Sequence, residues 1–238
     1  MSVSYKKHLK DLKERVCEAN LYLYKSGLVI STFGNVSERF SFEDQEIIGI
    51  KPSGVAYEKL TSDQIVILNM SGEILSGDSK PSTDTPTHLY LYKKIKSING
   101  ISHSHSTYAT AWSQAGLHVP CLGTTHADYA KSHIPCTVDI SKHNIIKNYE
   151  ENTAKLILSC LQKEDLLDQT MILVKNHGPF TFGKSGIDSV DNSILLEEIC
   201  KIAFFTHLIS PKVKAISSPL HAKHYNRKHG AKKYYGQN

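Results

Sequence analysis

The chain has 238 residues, 40% of them hydrophobic and 21% charged, with a formal net charge of +5. That balance is the one expected of an ordinary globular protein and excludes a disordered or fibrous chain. No run approaches the about twenty apolar residues of a membrane span, and residues 1–15 are polar and basic, without the apolar stretch of a secretory signal.

The first predicted element is an amphipathic helix over residues 5–25, with Leu9, Leu12, Val16, Ala19 and Leu23 at helical spacing and Gly27 as its stop. Strand-like runs follow at 28–32, 36–42, 46–50 and 64–70, punctuated by polar turns such as Ser71-Gly72. Thr85-Pro86 opens a helix to about Ile95, where proline in the first turn costs no hydrogen bond and Asp84 or Thr85 can cap. A strand at 101–105 leads into a helix at 108–114. Later come a helix at 152–162, a strand at 170–175, a short strand around Phe180 and a long helix at 187–208. Consecutive strands joined by short turns imply antiparallel pairing with helices packed on the sheet, so the expectation is one α/β domain. From Pro211 onward the chain carries seven of its 28 Lys and Arg and no Asp or Glu. This basic extension with Tyr225, Tyr234 and Tyr235 could meet nucleic acid, an anionic substrate or solvent alone. No RNA- or DNA-binding motif accompanies it, and no nucleic-acid partner is expected. Cys17, Cys121, Cys136, Cys160 and Cys200 form no CxxC pair and no even framework, which predicts reduced thiols in a cytoplasmic protein.

Three groups of residues carry chemistry. His103, His105 and His177, with Asp84, offer the imidazole nitrogens and carboxylate oxygen that a divalent ion such as zinc takes as ligands. Residues two apart on a strand share a face, so His103 and His105 can grip one ion. Taken singly, Asp84 is as readily a helix cap and His177 a turn residue before Gly178. The second group comprises Gly34-Asn35-Val36-Ser37, Lys51-Pro52-Ser53-Gly54 and Ser82-Thr83. These turns hold small hydroxyl, amide and glycine residues of the kind that cradle a phosphate, though each alone reads as an ordinary turn. None is a Walker A loop or a dinucleotide fingerprint. In the third group, Asp128 and Tyr235 are a carboxylate and a phenol able to move protons. By themselves they read as a surface or capping aspartate and a tail aromatic.

These segments, in this order, resemble the class II aldolase and epimerase superfamily, and within it the L-ribulose-5-phosphate 4-epimerases. The matching stretches include 34–37, 51–55, Lys80-Pro81-Ser82-Thr83-Asp84-Thr85-Pro86-Thr87-His88, 103–106, Gly123-Thr124-Thr125-His126-Ala127-Asp128-Tyr129, 176–180 and the ending from Lys223 to Gln237. The resemblance implies a three-layer α/β/α fold around a largely antiparallel sheet. It also implies a single domain over 1–238 whose segment 211–238 completes a neighbouring active site in a C4 homotetramer. Asp84, His103, His105 and His177 would bind one divalent ion per subunit, zinc or else manganese or cobalt. Asn35, Lys51, Ser53, Gly54, Ser82 and Thr83 would hold the substrate phosphate. Asp128 and Tyr235 would transfer protons, with His224 close by. Thr83 replaces the commoner serine, Phe33 stands where tryptophan is frequent, and Glu150-Glu151-Asn152 departs from the usual aromatic-containing pattern after Tyr149.

The implied reaction is epimerisation at C4 of L-ribulose 5-phosphate to D-xylulose 5-phosphate. C4 bears no acidic proton, so its inversion requires cleavage and re-formation of the C3–C4 bond. An aldolase of the L-fuculose-1-phosphate type is the sister alternative; such enzymes tend to carry glutamate where this chain has Asp84. A non-enzymatic domain like the adducin head lacks the metal histidines, whereas all three are present here.

Overall fold

The sheet strands are β1 (Asn35–Phe42), β2 (Gln45–Ile50), β3 (Val66–Asn69), β4 (Ile74–Ser76), β5 (Gly100–His103), β6 (Met171–Val174) and β7 (Gly178–Gly183). They form one seven-stranded sheet in the order β4-β3-β2-β1-β5-β7-β6. Every neighbouring pair is antiparallel. The computed structural model describes residues 3–43, 45–163, 169–231 and 233–235.

Side-chain alternation explains why the central strands read as unbroken apolar runs. Ile48, Ile50, Leu68, Ile101, Ile172, Val174, Phe180 and Phe182 point into one core, where Leu91, Tyr92, Ala154, Ile157 and Leu161 meet them. The intervening Ile47 and Ile67 face Leu12 and Val16, and Met171 and Leu173 face Leu196, Ile199 and Cys200. Both faces of the sheet are covered, so both side-chain sets are apolar. Helices α2 (Thr85–Lys94) and α6 (Tyr149–Lys163) form one outer layer. Helices α1 (Val3–Lys25), α3 (Thr107–Ala115) and α7 (Gly186–Ile209) form the other, giving the expected α/β/α sandwich. Short helices α4 (Thr124–Ala127) and α5 (Lys142–Ile146) lie in the connections, and α8 (Ser218–His229) packs against α4. No helix among the described residues is long and apolar enough to cross a membrane, and all five cysteines are free.

Most predicted elements match to within three residues. The strand predicted over 28–32 is instead a turn: Ser31 adopts φ 56° and Phe33 N–H donates to the Ile30 carbonyl at 3.1 Å. Leu28 is buried there under α1 and α7, so its apolar character serves packing without pairing. The strand predicted over 101–105 stops at His103, leaving His105 just beyond the sheet. β4, α4, α5 and α8 are not predicted. α8 buries no residue, so it has no apolar stripe for periodicity to reveal. Gly236 and Gln237, part of the matching ending, lie outside the described residues.

Candidate metal centre and anion pocket

Strand register assembles the histidines. Asn35 on β1 pairs with His103 on β5, and His103 pairs in turn with Phe180 on β7, so the three strands meet edge to edge at the site. The His103 ring stacks on Phe180 with centroids 4.3 Å apart, and its Nδ1–H donates to the Pro179 carbonyl at 2.9 Å. That bond fixes the tautomer and leaves Nε2 with its lone pair free. His105 brings its own Nε2 to 3.2 Å from it. His177 arrives from the β6–β7 turn, where Asn176 takes φ 60° and Gly178 has no room for a Cβ, which would lie 2.8 Å from the Ser104 carbonyl. One ligating nitrogen from each of the three lies within 4.8 Å of the others.

Burial disfavours the charged form of His105 and His177. It pushes His105 down to about 4 and His177 down to about 3. Three imidazoles whose ring nitrogens converge suit a borderline divalent cation. Asp84 stands beside this close group rather than within it. It occupies the N-cap position of α2, yet its side chain makes no capping bond; Oδ2 accepts from Asn35 Nδ2 at 2.6 Å. Burial works against its ionised carboxyl, but His103, His88, the Asn35 amide and His177 outweigh that and keep it below the usual carboxylate range. Capping alone therefore does not account for Asp84.

All ten residues expected to bind metal or phosphate line one cavity of about 370 Å³: Asn35, Lys51, Ser53, Gly54, Ser82, Thr83, Asp84, His103, His105 and His177. Lys51 is only 1% exposed. Its Nζ donates to the adjoining Pro52 carbonyl at 3.4 Å and sits 4.6 Å over the Tyr57 ring, and no carboxylate pairs with it among the described residues. Burial pulls its ammonium down to about 8. A buried cation without a counter-charge is costly, and this one faces a cavity where an anion would complete it. The flanking loops are pinned together by Ser53 N–H to the Lys80 carbonyl at 2.9 Å and Ser82 N–H to the Lys51 carbonyl at 3.0 Å. Ser53, Ser82 and Thr83 bring hydroxyls to the same cavity. Tyr57, absent from the sequence reading, supports this wall: it stacks on Tyr24 at 5.4 Å and donates to the Gly34 carbonyl at 2.9 Å.

Asp128, His224 and Tyr235 do not line this cavity. They form a second cluster, built where α8 crosses α4. Asp128 Oδ1 accepts from Arg227 Nε at 2.8 Å and from His224 Nδ1 at 3.1 Å, and Oδ2 accepts from Arg227 Nη2. His229 donates to the Asp128 carbonyl at 2.9 Å and His221 to the Ala130 carbonyl at 3.0 Å. Burial opposes ionisation of Asp128, but Arg227 and His224 outweigh it and hold the carboxyl low. The Tyr235 ring lies 4.4 Å from the Arg227 guanidinium carbon and 4.8 Å from Lys228 Nζ. Sequence reasoning placed Asp128 and Tyr235 but gave no role to Arg227 or His229. For Arg227, the i, i+3 offset from His224 was an available signal once the segment is read as a helix; nothing in the sequence pointed to His229. Tyr149, whose hydroxyl is 3.5 Å from His177 Nδ1, was likewise without a role.

Solved structures share this architecture. An L-fuculose 1-phosphate aldolase superposes with TM-score 0.76 at 21% identity, over 91% of this chain and 95% of that one. The L-fuculose 1-phosphate aldolase of Glaciozyma antarctica PI12 gives 0.75 at 19% identity over 95% and 85%. YgbL of Escherichia coli gives 0.71 at 23% identity over 90% and 98%. At these identities the likeness establishes the fold. The sequence itself matches the model of the class II aldolase and adducin N-terminal domain over residues 14–204. With four-fifths of its length inside that match, and the sandwich and histidine trio in place, the chain belongs to the class II aldolase and adducin N-terminal domain family.

Proposed function

We propose that the protein is a divalent-metal-dependent enzyme making and breaking a carbon–carbon bond in a sugar phosphate. More specifically, we propose a 4-epimerase interconverting L-ribulose 5-phosphate and D-xylulose 5-phosphate. The observation that carries the reading is the shared cavity, lined both by three converging imidazoles and by a buried ammonium with no carboxylate partner among the described residues. A substrate with polarisable oxygens at one end and a phosphate at the other fits such a site.

Lewis acidity at the carbonyl end of the substrate is what a divalent ion held by His103, His105, His177 and Asp84 supplies when bound. Lys51, with the hydroxyls of Ser53, Ser82 and Thr83, anchors the phosphate. That anchor keeps the aldehyde fragment, glycolaldehyde phosphate, from leaving after the C3–C4 bond opens. The fragment can then turn its other face before the bond re-forms. Two proton-transfer groups on opposite sides are required, one to take the C4 hydroxyl proton and one to return a proton on the other face. Asp128 and Tyr235 of an adjoining subunit fill these roles in a homotetramer, which accounts for their lying off the cavity of their own chain. Arg227 and His224 keep Asp128 ionised, the state a base needs, and each proton-transfer group contributes about 10²–10⁴ in rate.

The test is a coupled assay following D-xylulose 5-phosphate from L-ribulose 5-phosphate, run as isolated, after chelator stripping and after zinc or manganese is restored. Activity that disappears and returns with metal supports the reading. Bound metal without epimerisation overturns it. The second reading, aldol cleavage of L-fuculose 1-phosphate, is favoured by the names of the structurally similar proteins and is tested on the same preparations.

A further inference from the structure

We propose that Phe33 is a positioning residue for His105, its ring holding the plane of the imidazole so that Nε2 stays beside that of His103. The proposal rests on the metal-dependent reading above and extends it to a residue outside the ligand set.

His105 is the least supported member of the trio. His103 belongs to β5, pairs with both neighbouring strands, and has its Nδ1 tied to the Pro179 carbonyl at 2.9 Å. His177 has the Tyr149 hydroxyl 3.5 Å from its Nδ1. His105 stands past the end of β5 and before α3, so no strand pairing fixes its backbone. Its Nε2 lies 3.2 Å from that of His103, and its Nδ1 has no hydrogen-bond partner among the described residues. An imidazole that ligates a metal ordinarily has its second nitrogen bonded, and that bond sets the orientation of the ring. For His105 the described residues leave that task to ring contacts. His103 and His177 meet it at steep angles, 72° and 63°, with centroids 5.0 and 5.1 Å away. Phe33 is the ring that lies along its face, with centroids 5.7 Å apart and planes 26° from parallel.

The backbone delivers Phe33 to that face. Ser31 takes φ 56°, the Phe33 N–H closes the turn on the Ile30 carbonyl at 3.1 Å, and the Tyr57 hydroxyl lies 3.3 Å from the Phe33 carbonyl. Gly34 follows at φ +84°, where a Cβ would lie 2.9 Å from the His103 carbonyl, so the loop is pressed onto the end of β5. Phe33 lines the same cavity as the histidines yet is 59% exposed. Core burial therefore does not account for its place, and contact with His105 does. Expressed as a preference for one ring orientation, an offset aromatic pair amounts to about 2–10-fold in the fraction of His105 poised to ligate.

Zinc affinity is measured by competition with a chromophoric chelator, using the full chain, Phe33→Leu, Phe33→Trp, His105→Ala and the Phe33→Leu/His105→Ala pair. Inorganic phosphate binding is measured on the zinc-free proteins, because Phe33 shares its cavity with Lys51. Phe33→Leu keeps an apolar side chain without a ring face; it should weaken zinc about 2–10-fold and leave phosphate affinity unchanged. Phe33→Trp restores a ring face and should bind zinc within about 2-fold of wild type. In the His105→Ala background Phe33→Leu should cost nothing further, because Phe33 acts through that imidazole. If Phe33→Leu does not fold, as thermal melts will show, Phe33→Met replaces it and the same pattern is expected. Wild-type zinc binding that Phe33→Leu leaves intact overturns the proposal alone, as does a loss that Phe33→Trp shares or that persists in full without His105. Weakened phosphate with unchanged zinc places Phe33 with the anion instead and overturns it too. A wild-type chain that binds no zinc overturns the metal reading and the proposal together.

Discussion

Replacing Lys51 with methionine should stabilise the protein while removing its affinity for phosphate. Lys51 is 1% exposed, its ammonium has the Pro52 carbonyl at 3.4 Å and the Tyr57 ring as partners and no carboxylate among the described residues, and burial pulls it from 10.5 down to about 8. That difference corresponds to about 3 kcal/mol against the folded state, and solvent reaching the head group through the cavity mouth reduces it to about 2 kcal/mol. The sign follows from proton counting. Below pH 8 both folded and unfolded chains carry the charge, and only the folded one carries it buried, so the cost is fully present. Between about 8 and 10.5 the unfolded chain alone keeps the proton, and the cost disappears as pH rises. Methionine retains most of the side-chain volume over Tyr57 without the charge. Urea unfolding in phosphate-free buffer should therefore place Lys51→Met about 2 kcal/mol above wild type at pH 7, with the gap closing towards pH 10. Inorganic phosphate at one hundred times its dissociation constant should then raise wild type by about 2.7 kcal/mol and leave the variant unmoved. A variant less stable than wild type at pH 7, or equal stabilisation of both by phosphate, would refute the uncompensated-cation argument.

Three further outcomes are expected. Arg227→Leu removes the strongest of the contacts holding Asp128 ionised, so the acid limb of the epimerase pH profile should move to higher pH while zinc content stays constant; an unmoved limb would separate Asp128 from catalysis. Gly34→Ala forces a side chain into the left-handed region at φ +84° and against the His103 carbonyl at 2.9 Å. It should lower stability by about 1–3 kcal/mol in thermal melts, and a melt matching wild type would show that the β1–β5 approach can relax. Tyr149→Phe removes a hydroxyl at 3.5 Å from His177 Nδ1, the limit of a hydrogen bond. Zinc competition should show a change below about 3-fold, the low end of what a hydrogen bond contributes, and a loss of about 10-fold or more would give Tyr149 a share in placing the ligands.

Much of this was legible along the chain because it is local. Short apolar runs at 46–50 and 170–175 and the helical spacing of Leu9, Leu12, Val16 and Leu23 marked strands and helices whose packing buries them. Thr85-Pro86 marked where α2 begins, and the Asn-His-Gly turn marked where His177 leaves the sheet, since asparagine tolerates φ 60° there. The run 28–32 misled because apolar residues in a tight turn look like a strand. α8 was missed because none of its residues is buried, so no apolar stripe repeats at helical spacing.

The sequence by itself determined the chemistry available: imidazoles and a carboxylate for a cation, a lysine among hydroxyl-bearing turns for an anion, a carboxylate and a phenol for protons. Tertiary structure decided how they are used. Antiparallel register, through Asn35 opposite His103 and His103 opposite Phe180, brought three histidines to one point and fixed which nitrogen of His103 is free. It set Asn35 against Asp84, left Lys51 buried without a counter-charge, and gathered Asp128, His224, Arg227 and Tyr235 away from the cavity. These are contacts between residues dozens of positions apart. Their geometry is fixed by sheet pairing and helix packing, which no local pattern encodes.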